Sequence, residues 1–175
     1  MRVRRILLPG SLLMAAACVP RSQTPPPQQP QQQPAPRPLP VPPPPAADWR
    51  DLPLTPGGWF YRSDAAGSQA LFGVANSEGQ FIVRCDRARR QVTLSREGVA
   101  ANAALTVRTS FTAQTLPATI QREPLAYTMA TVGATDRILD SMVFSRGRFT
   151  VEAQGLPMLV IPSWPEPARV VEDCR

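Results

Sequence analysis

The residues able to do covalent or acid–base chemistry in this chain are few, and their scarcity is itself informative. All nineteen basic residues are arginine, so 175 residues contain neither histidine nor lysine. That absence removes Ser–His and Cys–His nucleophile pairs, Ser–Lys dyads, Schiff-base chemistry, P-loop phosphate binding and nearly every zinc site. Carboxylates remain. Asp136 with Asp140, and Glu172 with Asp173, come closest to the two acids that glycoside hydrolysis sets across a cleft. The first pair is spaced four apart on the polar side of a short helix, and the second sits beside the last cysteine. Neither is expected to face a cleft, so the expectation is a protein that is not an enzyme and carries no metal or cofactor.

Arginine is the remaining chemical resource. Arg84, Arg87, Arg89, Arg90, Arg96 and Arg108 fall on neighbouring expected strands and a turn, while Arg146 and Arg148 lie near a bend. Guanidinium forks match carboxylates and phosphates. Arg84, Arg89, Arg90, Arg108, Arg146 and Arg148 therefore form a candidate patch for an anionic ligand, such as lipid headgroups or peptide carboxylates of the cell wall. The competing reading is a solvated strand face, with Asp86, Glu97 and Glu152 as local counter-charges. Bulk charge does not decide between them. The whole chain carries +6, but residues 48–175 hold fourteen arginines and all thirteen acids, a net of +1. A nucleic-acid partner is not expected from such a balance.

The three cysteines have separate expected uses. Arg2, Arg4 and Arg5 precede an uncharged, mostly apolar run from Ile6 to Ala17, which ends in Ala15-Ala16-Ala17 directly before Cys18. The run is shorter than the roughly 20 residues a permanent membrane helix needs and contains Pro9 and Gly10, so it reads as a signal peptide over residues 1–17. Met14-Ala15-Ala16-Ala17-Cys18 resembles the lipobox of bacterial lipoproteins, with Ala15 where that family most often has Leu. The resemblance implies diacylglyceryl transfer to the Cys18 thiol, cleavage before it and membrane attachment through the lipid. In enteric lipoproteins an Asp after the cysteine retains the protein in the inner membrane. Val19 thus implies the periplasmic face of the outer membrane of a Gram-negative cell. Cys85 and Cys174 remain, and in an oxidising compartment they are expected to form one disulfide. Two buried free thiols are the alternative.

These residues need elements to position them. Pro20 to Ala47 contains thirteen of the 22 prolines and six glutamines. These 28 residues favour extended polyproline II at about 3.1 Å per residue, a reach of at most about 85–90 Å, and with Cys18 and Val19 they make a linker, residues 18–47. From Trp49 the chain turns to short alternating segments, so residues 48–175 are expected to fold as one β-rich domain. Expected strands are Trp59–Arg62, Gln69–Val74, Gln80–Cys85, Gln91–Ser95, Ala104–Ser110, Ala126–Thr131, Gly147–Ala153 and Pro157–Ile161. Alternation turns Phe81, Val83 and Cys85 inward and Ile82 and Arg84 to the other face, and it places Thr106, Arg108, Arg148 and Thr150 outward. A helix is expected over 136–144. A second is expected from Ser163, with Ser163 and Glu166 as a capping box and Pro167, Val170 or Val171, and Cys174 on one face. The fold class is thus mainly β, a small antiparallel sheet or sandwich with a C-terminal helix stapled by Cys85–Cys174.

The meander ending in Arg84-Cys85, the strand Leu105-Thr106-Val107-Arg108-Thr109-Ser110 and the terminal helix with the last cysteine resemble small exported β domains. These are of the invasion-associated locus B and type VI secretion-associated lipoprotein kinds. The similarity covers Gly58 to Arg175 in the order of elements and implies a non-enzymatic envelope role: a binding or structural module on a Pro-rich stalk, with an envelope protein or peptidoglycan as partner. Membrane-bound lysozyme inhibitors share the anchor and the disulfided β domain, although their active loop has no match here. A hydrolase inhibitor or a small cell-wall hydrolase is the alternative.

Overall fold

The alternation that begins at Trp59 becomes two antiparallel sheets. A computed structural model describes residues 48–175; the expected signal peptide of residues 1–17 and the expected linker of residues 18–47, with Cys18, lie outside the described residues. The strands are β1 (Gly58–Ser63), β2 (Ser68–Gly73), β3 (Phe81–Asp86), β4 (Gln91–Glu97), β5 (Ala104–Arg108), β6 (Ala113–Pro117), β7 (Thr119–Gln121), β8 (Tyr127–Gly133), β9 (Arg148–Glu152) and β10 (Leu159–Pro162). Two helices complete the set, α1 (Arg137–Val143) and α2 (Pro165–Asp173). The larger sheet runs β1-β2-β3-β4-β8-β7 and the smaller β10-β9-β5-β6. The chain passes from the smaller to the larger at Ala118, between β6 and β7. Among the described residues no helix is long and apolar enough to cross a membrane.

Both sheets turn an apolar face to a shared core. Phe72, Phe81, Val83, Val92 and Leu94 come from the larger sheet; Leu105, Val107, Phe149, Val151 and Ile161 come from the smaller, and all are fully buried. Burial of each such side chain contributes about 1.5–3 kcal/mol. A run of aromatic rings crosses the gap: Trp59 lies 5.5 Å from Phe72 and 6.3 Å from Phe81, and Phe81 lies 6.1 Å from Phe149. Trp59 Nε1 donates to the Pro162 carbonyl at 2.9 Å, which ties the β1 edge to β10.

The helices close the core. Asp136 caps α1 by accepting from the Ile138 N–H at 3.0 Å, and Ile138, Leu139 and Met142 are buried. Helix α2 buries Pro167, Val170 and Val171. Its C-cap residue, Cys174, bonds to Cys85 of β3, with the two Cα atoms 5.5 Å apart and a sequence separation of 89. That spacing is typical of an unforced bridge. The bridge fastens α2 to the inward face of the larger sheet, as the alternation of Phe81, Val83 and Cys85 implies.

Two expectations need correction. The capping box of Ser163 and Glu166 does not form: the N-cap is Trp164, and no side chain caps the helix. The Ser163 N–H, from which Glu166 would have to accept in a capping box, donates to the Gly147 carbonyl at 3.2 Å. Ser163 Oγ instead lies 3.5 Å from the Met142 carbonyl, and Glu166 Oε2 is buried without a partner among the described residues. Thr150 was expected outward and is fully buried. It sits in register with Arg108 and Val160, two residues from Arg148 and Glu152 on its own strand, and its hydroxyl meets Glu152 Oε1 at 3.3 Å. Long neighbours cover a short side chain.

Candidate ligand-binding face

Because α2 occupies the inner side of β1–β3, the outer side of the larger sheet carries no helix. Its side chains form cross-strand rows. Register pairs Phe60 with Leu71, Leu71 with Ile82, Ile82 with Ser95, and Ser95 with Met129. This row is apolar except at Ser95, and Phe60 remains 45% exposed. Beside it, Arg62 pairs with Gln69, Gln69 with Arg84, Arg84 with Thr93, and Thr93 with Thr131. A polar row with two guanidinium groups thus borders an apolar one. Strands lie about 4.8 Å apart, so Arg62 and Arg84, two strands from each other, emerge from the sheet about 10 Å apart.

Three hollows indent this face. One of about 570 Å³ is lined by Phe60, Arg62, Leu71, Val74 and Glu78 among others. One of about 370 Å³ has Ile82, Ser95, Tyr127 and Met129 with Arg84 and Thr93. A smaller one, about 240 Å³, joins Arg62, Gln69 and Arg84 and is also lined by Asp64. Arg84 donates only one long bond, 3.5 Å to Gln69 Oε1, and among the described residues neither Arg62 nor Arg84 enters an ion pair. Asp64, close by in sequence, accepts from the backbone N–H groups of Ala66 and Gly67. Tyr127 lies across the end of the face and donates to the Gly79 carbonyl at 3.0 Å. Burial, with Glu78 and Glu97 adding to it, raises the pKa of its phenol and keeps it a donor.

The six arginines of the sequence-derived patch do not come together. Arg84 (β3), Arg89 and Arg90 (the β3–β4 turn) belong to the larger sheet, whereas Arg108 (β5), Arg148 (β9) and Arg146, just before β9, belong to the smaller. Most have internal partners. Arg89 pairs with Asp86 at 2.7 Å, and its backbone N–H, chief among several bonds, holds the Asp86 carboxyl below its ordinary range. Arg90 donates to the Arg175 carbonyl oxygen at 2.7 Å, Arg108 pairs with Glu152 at 3.2 Å, and Arg148 donates to the Leu52 carbonyl at 2.6 Å. Arg96 belongs to the inward row of β4 with Val92 and Leu94; its guanidinium donates to the carbonyls of Glu97 and Pro157, and burial lowers its pKa. Of these arginines, Arg84 alone lies on the apolar-bordered face. Arg62 was missed, together with Phe60, Leu71 and Met129. The available signal was Ile82: an apolar residue on the face opposite Phe81 and Val83 marks a strand with something to cover on both sides.

The acids considered for catalysis have other work. Asp136 caps α1, Asp140 Oδ1 meets Arg175 Nη2 at 2.7 Å, and Asp173 accepts from the Tyr61 hydroxyl at 2.6 Å. Among the described residues no group of three or more acidic or cysteine side chains could hold a metal ion. No protein-family model, no curated protein and no solved structure matches this chain.

Proposed function

We propose that this chain is a lipid-anchored, non-enzymatic binding module of the bacterial cell envelope. Cys18 carries the lipid on the periplasmic face of the outer membrane, residues 18–47 serve as a stalk, and residues 48–175 present the outer face of the larger sheet to an anionic ligand. The observation that carries the ligand assignment is the pairing of two rows: Arg62 and Arg84 without counter-ions, beside Phe60, Leu71, Ile82 and Met129. Guanidinium groups that face solvent without an ion-pair partner suit carboxylates supplied from outside, and the neighbouring row suits the apolar part of the same ligand. Stem peptides of peptidoglycan bring both in extended form and lie within the stalk's reach of about 85–90 Å. The hydrolase alternative has less support, since Asp136, Asp140 and Asp173 are held by internal partners.

Two experiments test the two halves. Labelling with a fatty-acid analogue should tag the wild-type protein and spare Cys18→Ser; equal labelling would remove the anchor. The chain from residue 18 with Cys18→Ser should co-sediment with isolated sacculi, and adding Arg62→Gln/Arg84→Gln should abolish this. Unchanged co-sedimentation would remove the face.

A further inference from the structure

The most exposed large apolar residues outside the sheet face gather at one end of the domain. Phe111, in the β5–β6 turn, is 58% exposed; Phe144, at the C-cap of α1, is 68% exposed; and Trp164, the N-cap of α2, is 47% exposed. Hydrogen bonds bring their three segments together. The Ser110 N–H donates to Ser145 Oγ at 3.0 Å and the Arg146 N–H to Ser110 Oγ at 2.8 Å, so the Phe111 turn lies against the loop after α1. The Ser163 N–H donates to the Gly147 carbonyl at 3.2 Å, which brings the corner carrying Trp164 to the same loop. Turns ordinarily carry Ser, Asn or Gly, so exposed aromatic rings at such positions mark a contact surface.

Charge and connectivity say what covers them. Segments 109–112, 144–148 and 162–164 contain Arg146 and Arg148 and no acid, and Asp51, exposed beside Leu52, is the acid next to them in the adjoining segment. Arg146 is exposed, while Arg148 donates to the Leu52 carbonyl at 2.6 Å. That last bond holds Leu52, four residues after the first described residue, Asp48, beside Arg148 at the aromatic end. Protruding aromatic rings carried on segments with a free cation, hydroxyls and no acid of their own are the composition of a surface that enters the headgroup region of a bilayer.

We propose that Phe111, Phe144 and Trp164, with Arg146, dock the domain directly onto an anionic phospholipid bilayer. The inference rests on the lipid-anchored reading for the membrane's being within reach. A tether attached beside the aromatic end brings that end to the membrane first, so the anchor sets proximity and the rings set orientation. This contact shares no residue with the candidate ligand face.

The test uses the chain from residue 18 with Cys18→Ser, so that no acyl chain contributes. It should float with vesicles of phosphatidylcholine containing about 30 mol% phosphatidylglycerol and float less with phosphatidylcholine alone. Phe111→Ser/Phe144→Ser should lower partitioning at least about tenfold while leaving the thermal midpoint unchanged, because both rings are already more than half exposed. Arg146→Gln should reduce the preference for anionic vesicles, and Arg62→Gln/Arg84→Gln should leave flotation intact. The proposal is overturned if the parent chain does not float, if the double Phe variant floats as well as its parent, or if the Arg62/Arg84 variant loses flotation equally. It is also overturned if the double Phe variant loses sacculus binding and keeps vesicle binding. Flotation that persists when Cys18 proves unlabelled would retain the docking surface and remove the anchor.

Discussion

The outer faces of the two sheets have similar compositions and opposite states. On the smaller sheet the polar groups satisfy one another: Thr106 and Thr115 share a hydroxyl bond of 2.8 Å, Arg108 pairs with Glu152, Thr150 meets Glu152, and Arg148 reaches Leu52. That face also has a hollow, of about 500 Å³, but Thr106, Thr115 and Glu152 in its lining are already bonded. On the larger sheet the polar row contains two guanidinium groups that enter no ion pair among the described residues, set beside apolar side chains that no helix covers. A depression is easily made wherever a twisted sheet meets a loop. Polar groups left without internal partners beside exposed apolar surface distinguish a face built for a ligand from one that is merely solvated.

This contrast depends on a rigid sheet, so the largest expected effect comes from releasing its inner support. Cys85→Ser and Cys174→Ser should each cost about 2–5 kcal/mol, and the double variant should be no worse than either single, since all three lose one constraint. Two unequal, additive losses in denaturant titrations would mean that the cysteines act as separate core residues. Next is Gly67, where an added Cβ would lie 2.1 Å from the Cys85 carbonyl oxygen, against backbone that cannot yield. Gly67→Ala should cost about 1–3 kcal/mol and shift the amide resonances of Ala66 and Cys85. A fully stable variant would mean that the β1–β2 turn does not rest on β3.

The third effect sets the two faces directly against each other. Arg108→Ala should cost up to about 1 kcal/mol, because Glu152 loses its partner in a half-exposed pair, and should leave sacculus binding alone. Arg62→Ala and Arg84→Ala should stay within about 0.5 kcal/mol of wild type and lose binding. The reverse pattern would exchange the roles of the faces. The smallest effect is at Asp173, where the Tyr61 hydroxyl bond first, and Arg169 and Arg87 later, lower the carboxyl pKa from 3.8. A lowered folded value means the unfolded chain takes up the proton first as pH falls. The contribution is therefore present above about pH 4 and lost below it. Tyr61→Phe should accordingly be less stable than wild type near neutrality, with the gap closing in acid. A gap that stays constant with pH would assign Tyr61 a packing role alone.

Much of the fold was legible because burial writes itself into alternation. Phe81-Ile82-Val83-Arg84-Cys85 gave the inward face of β3, and the same pattern on α2 placed Cys174 to meet it. Strands β6 and β7 were not legible: each is an edge strand, only Leu116 and Ile120 turn apolar side chains toward the core, and Pro117 interrupts the segment. The start of α2 misled because Ser163 and Glu166 have capping-box spacing, while the helix begins one residue later with Trp164 as N-cap and the Ser163 N–H that the box needs donates to the Gly147 carbonyl. The candidate site was half legible. Arg84 could be named from its strand, but its companion Arg62 stands 22 residues earlier, and only the β1-β2-β3 register makes them neighbours. The arginines that cluster in sequence, Arg87 to Arg90, belong to a turn whose hydrogen bonds they help to satisfy. Sequence proximity overstated their collective role, and cross-strand proximity was invisible to it.

The central claim is that the outer face of the larger sheet is where a carboxylate-bearing ligand binds. Amide chemical-shift mapping of the chain from residue 18, Cys18→Ser, titrated with soluble muropeptides from digested sacculi, addresses it most directly. The predicted result is saturable shifts at Phe60, Arg62, Gln69, Leu71, Ile82 and Arg84 that vanish in Arg62→Gln/Arg84→Gln. Shifts confined to Thr106, Thr115 and Glu152 of the smaller sheet, or none at all, would contradict it.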